Sequence, residues 1–99
     1  MTHKVLVAPQ AEAQIRTIDT WWQRHRPDSP RLFVEDLAEA LATLEVAPGV
    51  GTRYSHPTLK GLRRLPLRST RHHVYYLAGS QLVIVLAVWG ATKELGPEI

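Results

Sequence analysis

The sequence has 99 residues and a mass of 11.2 kDa, the size of one small domain with a single core. It is 44% apolar and 21% charged, which excludes a disordered tail, and residues 1–99 read as one unit. The absence of cysteine excludes a disulfide scaffold, a thiolate zinc site, an iron–sulfur cluster and a cysteine nucleophile. The composition is compatible with a reducing cytosol, and the expected location is cytoplasmic. Met1 to Gln10 shows no signal-peptide pattern, and the apolar run Leu82 to Trp89 is far shorter than the ~20 residues of a membrane helix.

The net charge of +3 is unevenly spread. Residues 1–50 hold five Lys/Arg and seven Asp/Glu, whereas residues 51–99 hold seven and two. No carboxylate lies between Glu45 and Glu94, a gap that contains Arg53, Lys60, Arg63, Arg64, Arg68 and Arg71. Such a field suits an anionic partner: nucleic acid, a phosphate-bearing substrate or an acidic protein segment. The plain alternative is a solvated basic face.

His3 to Ala8 reads as a short strand that Pro9 stops while opening a helix. Ala11, Ile15, Ile18 and Trp22 recur at helical steps as one apolar stripe, which should end before Pro27. Asp28 or Ser29 is expected to cap a second helix with Pro30 at its first position, and Phe33, Leu37, Leu41 and Leu44 form its stripe. Pro48, Gly49 and Gly51 end it, and a polar loop runs to Gly61. Three strands are predicted next, Leu62 to Arg68, His72 to Ala78 and Gln81 to Trp89. Pro66 pushes the first towards a sheet edge, and the last, apolar throughout, reads as central. Ser69-Thr70-Arg71 and Gly79-Ser80 read as hairpin turns, the latter with a glycine able to take positive φ. The fold class is α+β, in the order β-α-α-β-β-β, with a helical hairpin packed on a mostly antiparallel sheet.

Metal chemistry is not supported. His72 and His73 are adjacent in a strand and point to opposite faces, with no carboxylate partner nearby. No cofactor motif is present, and no glycine-rich phosphate loop or Ser/His/Asp set can be drawn. Alternation puts Leu65 and Leu67 on one face and Arg64, Pro66 and Arg68 on the other, with Arg63 on the leucine side. Arg64 and Arg68 are therefore expected on an open face, ready for phosphates or carboxylates. Metal-free RNA cleavage needs proton-transfer groups beside cations, for which the candidates are Arg64, Arg68, His72 and His73. Tyr75, Tyr76 and Trp89 are either sheet packing or partner contacts.

The chain resembles a toxin of the RelE/ParE superfamily, from bacterial type II toxin–antitoxin operons, and the ParE side more than the RelE side. The resemblance spans nearly the whole length. It rests on Ala11, Trp22, the Phe33…Leu37…Leu41…Leu44 helix, Pro48…Gly51, Gly61-Leu62-Arg63-Arg64-Leu65, Val74-Tyr75-Tyr76 and Ile84…Val88-Trp89. It implies a growth-inhibiting protein neutralised by a cognate antitoxin and directed against DNA gyrase (ParE-like) or ribosome-bound messenger RNA (RelE-like). The basic arginine of the family's first hairpin strand is matched by Arg63 or Arg64. The tail from Trp89 to Ile99 has no tyrosine or histidine, and only Lys93 matches the basic residue usual after the last strand. This departure from the nuclease pattern favours gyrase. The expected antitoxin- or target-binding residues are Arg63, Arg64, Arg68, Arg71, Tyr75, Trp89 and Lys93, with the N-terminal strand or the Leu62–Arg68 edge open to strand addition. A non-toxic basic nucleic-acid-binding module is the reading from another class.

Overall fold

The structure is a computed structural model that describes residues 2–91 and 96–99. Its elements are β1 (Lys4–Val7), α1 (Pro9–His25), α2 (Leu32–Val46), β2 (Thr52–Arg53), β3 (Arg63–Pro66), β4 (His72–Ala78) and β5 (Leu82–Gly90). They form one five-stranded sheet in the order β1-β5-β4-β3-β2, parallel only between β1 and β5. The expected α+β class and the mostly antiparallel sheet are therefore present, with one strand more than the sequence suggested.

Both helices lie on one face of the sheet. Ala11 of α1 and Phe33, Leu37, Ala40 and Leu44 of α2 are buried against Leu67, Val74, Tyr76, Val83, Val85 and Val88. Ile15, Ile18, Trp22 and Leu41 complete the two stripes as partly buried residues. Pro9 opens α1 without a side-chain cap, because its missing N–H is one that a helix start leaves unpaired anyway.

The start of α2 departs from expectation. Neither Asp28 nor Ser29 caps it; Arg31 stands at the N-cap with no side-chain hydrogen bond. The Ser29 carbonyl instead accepts from Leu32 N at 3.2 Å, so residues 29–32 are spent in a turn around Pro30 before the helix begins.

The second difference is β2, two residues paired with Arg63 and Arg64 at the outer edge of β3. Pro66 lies beyond this cover. Leu67 N donates to His72 O at 2.9 Å, so the nitrogen of Pro66, one residue back, faces the outer edge where no donor is needed. The positive φ sits at Gly61 (80°), not at Gly79, whose N–H closes the last hairpin on Leu82 O.

Between β4 and β5 the register slips at Tyr75/Tyr76: Tyr75 faces Ala87, but Tyr76 faces Val85, leaving Leu86 as the extra residue of a bulge. The bulge reverses the alternation of β5, so Val83, Val85 and Val88 all meet the helices. Ala87 is then free to join a second buried cluster, with Leu62 and Tyr75, on the opposite face.

Candidate functional site

The face of the sheet away from the helices gathers the chemistry. Strand pairing sets Arg64 opposite Tyr75, His73 opposite Trp89 and Tyr75 opposite Ala87. Tyr54 joins them from just past β2, where its N–H donates to Leu62 O at 2.9 Å. Its ring stands edge-on to Tyr75 at 5.0 Å, and the Arg64 guanidinium carbon lies 5.2 Å from its centroid. The His73 ring is edge-on to Tyr75 at 6.2 Å. Tyr54, Arg64, His73 and Tyr75 thus form one contiguous group, flanked by Trp89, which packs beside Tyr75 and Ala87.

Burial and neighbouring charge set the protonation of this group. Burial first, then the Arg64 cation and His72, hold the His73 imidazole below the usual histidine range. Burial pushes the Tyr75 phenol up, against the opposing pull of its hydrogen bond to Arg64. At neutral pH the face therefore presents a neutral imidazole, a protonated phenol and a fixed guanidinium. That combination suits a phosphate or carboxylate held by Arg64 between aromatic walls.

The remaining candidates are dispersed. Arg63 turns to the helix side, where its Nη1 donates to Gly51 O at 2.6 Å and Gly49 O at 3.3 Å, tying down the loop after α2. Arg68 does not share the open face with Arg64 as alternation suggested. β3 ends at Pro66, and the chain turns so that Arg68 Nη1 reaches Glu39 Oε1 of α2 at 2.7 Å.

The turn is held by the buried Asp36 carboxylate. Its oxygens accept from the N–H groups of Arg68, Ser69 and Thr70 and from the Thr70 hydroxyl, at 2.8–3.1 Å. His72 also faces the helices; its Nδ1 lies 3.0 Å from Thr70 O and its ring packs on Phe33. Arg71 lines a separate cleft with Trp21, Trp22, Arg26 and His72 at the end of α1. Lys93 lies outside the described residues.

Tyr54 carries no signal of its own in the sequence, where residues 51–61 read as a polar loop with His56 among its basic residues. A clue was present: Thr52-Arg53-Tyr54 alternates like a strand, although three residues carry little periodic signal. The His56 Nδ1 accepts from Leu59 N at 3.0 Å and Thr58 N at 3.2 Å, which leaves the proton on Nε2. That Nε2–H donates to the carbonyl of Ile99 at 3.1 Å. Ile99 itself packs on the cluster of Leu62, Tyr75 and Ala87.

Among the described residues, no three or more histidines, cysteines or carboxylates come together to hold a metal ion. No helix among them is long and apolar enough to cross a membrane.

The fold is shared with solved toxin structures. A chain of the chromosomal ParDE toxin–antitoxin system from P. aeruginosa superposes with a TM-score of 0.72 at 19% identity, covering 89% of this chain and 95% of that one. The E. coli DinJ-YafQ toxin–antitoxin complex gives 0.66 at 11% identity, over 97% and 100%. The YoeB dimer from Staphylococcus aureus gives 0.58 at 14%, over 88% and 94%. No curated relative matches the sequence. The family described as ParE toxin of type II toxin–antitoxin system, parDE, matches residues 5–95. With all but the two ends of the sequence inside that match, the chain belongs to the ParE family of type II toxin–antitoxin toxins.

Proposed function

We propose that this toxin inhibits growth by poisoning DNA gyrase and is held in check by a cognate antitoxin. The observation that carries the reading is the dispersal of the nuclease candidates. Of Arg64, Arg68, His72 and His73, only Arg64 and His73 meet on one face; Arg68 is paired with Glu39 and His72 faces the helices. Stabilising a phosphorane calls for converging cations beside proton-transfer groups, whereas a poison needs only a surface that binds. Membership of the ParE family weighs the same way. The antitoxin is inferred from the family and from relatives solved within toxin–antitoxin systems. Its carboxylates would meet Arg64, and the outer edge of β1 or the uncovered end of β3 offers a place for an added strand.

Purified toxin is expected to block supercoiling and trap gyrase-linked DNA breaks, while leaving ribosome-bound messenger intact. One observation favours a second reading, ribosome-dependent RNA cleavage: Arg64, neutral His73 and protonated Tyr75 do share a face. Cleaved messenger in a translation extract, lost in His73→Ala, would establish that reading and overturn the first.

A further inference from the structure

The open face is not bare. Residues 96–99 return to it after β5, and their attachments among the described residues are specific. The Glu98 carbonyl accepts from Gln10 Nε2, in the first turn of α1, at 2.7 Å. The Ile99 carbonyl accepts from His56 Nε2 at 3.1 Å, and the Ile99 side chain lies on the cluster of Leu62, Tyr75 and Ala87. Gly96 passes so close to the Tyr54 hydroxyl that a Cβ there would collide with it.

These contacts differ from those of the sheet beneath. β4 and β5 are joined by a ladder of seven residue pairs with buried side chains on both faces. Among the described residues, the segment 96–99 is attached by side-chain-to-carbonyl hydrogen bonds from Gln10 and His56 and by the apolar side chain of Ile99 rather than by a ladder. Each such bond is worth only ~1 kcal/mol net, a hold that allows the segment to open locally while the sheet stays closed. Both anchors are aimed at backbone carbonyls and are therefore indifferent to the side chain that follows. Where the chain must pass Tyr54 most closely, the residue is glycine.

Tyr54 is also the residue on which Arg64 rests and against which Tyr75 packs. We propose that residues 96–99 are an intramolecular strap laid over Tyr54 and the Tyr75 cluster, so that a macromolecule docking on the neighbouring Arg64 face must first lift them. The strap is a restraint on the toxin carried by its own chain. Its cover of Tyr54 is independent of the toxin reading; its effect on growth rests on that reading.

The test compares the full chain, a chain ending at Leu95, and Gly96→Val, which keeps the length but crowds the Tyr54 hydroxyl. Acetylation of Tyr54 by N-acetylimidazole, followed by mass spectrometry, is expected to be roughly tenfold or more faster in both altered chains. Their thermal midpoints should stay within about 2 °C of the full chain. At equal expression, both should arrest bacterial growth more strongly. Equal Tyr54 acetylation in all three chains would overturn the proposal. So would a midpoint lowered by about 5 °C or more in the shortened chain, which would make the segment part of the core. Absence of arrest from every chain would count against the toxin reading alone, because Tyr54 protection still decides whether the strap exists.

Discussion

Asp36 of α2 and Thr70, at the entrance to β4, are joined twice: Asp36 Oδ2 accepts from the Thr70 N–H and from its hydroxyl, both at 2.8 Å. Both residues are nearly fully buried. A buried carboxylate is tolerable only where its lone pairs are filled, and here four donors from residues 68–70 fill them. Asp36→Ala strips three backbone N–H groups of their acceptor, and a loss of roughly 2–4 kcal/mol is expected in urea unfolding. Thr70→Val removes only one of the four donors, so its cost should be clearly smaller.

Tyr76 supports a similar link between distant segments. Its buried hydroxyl donates to Pro48 O at 2.7 Å and accepts from Gly51 N at 2.9 Å. Tyr76→Phe is expected to cost about 1–2 kcal/mol. Gly51→Ala should be worse, because the new Cβ would stand 2.6 Å from that hydroxyl and 2.9 Å from the Arg64 carbonyl. Combining it with Tyr76→Phe should rescue it only in part, since the carbonyl remains. Denaturant melts of the three variants measure this.

His73 supplies a pH dependence. Burial and the Arg64 cation disfavour its imidazolium in the folded protein, so the unfolded chain binds the proton more readily. The contribution of His73 to stability is therefore complete above the ordinary histidine pKa of about 6.5 and is lost as pH falls from there towards the depressed folded value. NMR titration of the His73 ring protons should give a midpoint below 6.5. Arg64→Ala should raise that midpoint, though not fully to the ordinary value, because burial remains.

Arg64 and Arg68 should separate in binding experiments. Arg68 is exposed and already paired with Glu39 across the turn, whereas Arg64 stands on the opposite face over Tyr54. In low salt, Arg64→Glu is expected to weaken the antitoxin complex markedly, and Arg68→Glu much less. Equal effects would mean that the partner wraps both faces. A titration calorimeter reads the difference directly.

The elements legible in the sequence were those with a period. The two helical stripes and the strands β4 and β5 repeat often enough to declare their buried faces, and the opposite facing of His72 and His73 came from the same alternation. Arg68 was misplaced because alternation was carried past Pro66, where the strand stops and Asp36 takes over the backbone. Nothing in the sequence near Arg68 announces an acceptor more than thirty positions earlier. The place of Tyr54 was not legible because β2 has two residues, too few for a period, and the return of residues 96–99 to His56 depends on contacts that no local pattern encodes.

The parallel pairing of β1 with β5 has a consequence for how the chain is made. β1 is the first strand synthesised, and its partner is the last: Lys4 matches Leu82 and Val7 matches Val85. Until β5 clears the ribosome, β1 has no strand partner, and α1 and α2 have neither Val83, Val85 nor Val88 to cover. A nascent chain therefore carries its hairpin without the middle of the sheet, and closure waits for the longest-range pairing in the fold, the kind that forms slowly. The sheet closes only once β5 has emerged, so a product that stops short of β5 lacks the strand on which β1 and the two helices come together.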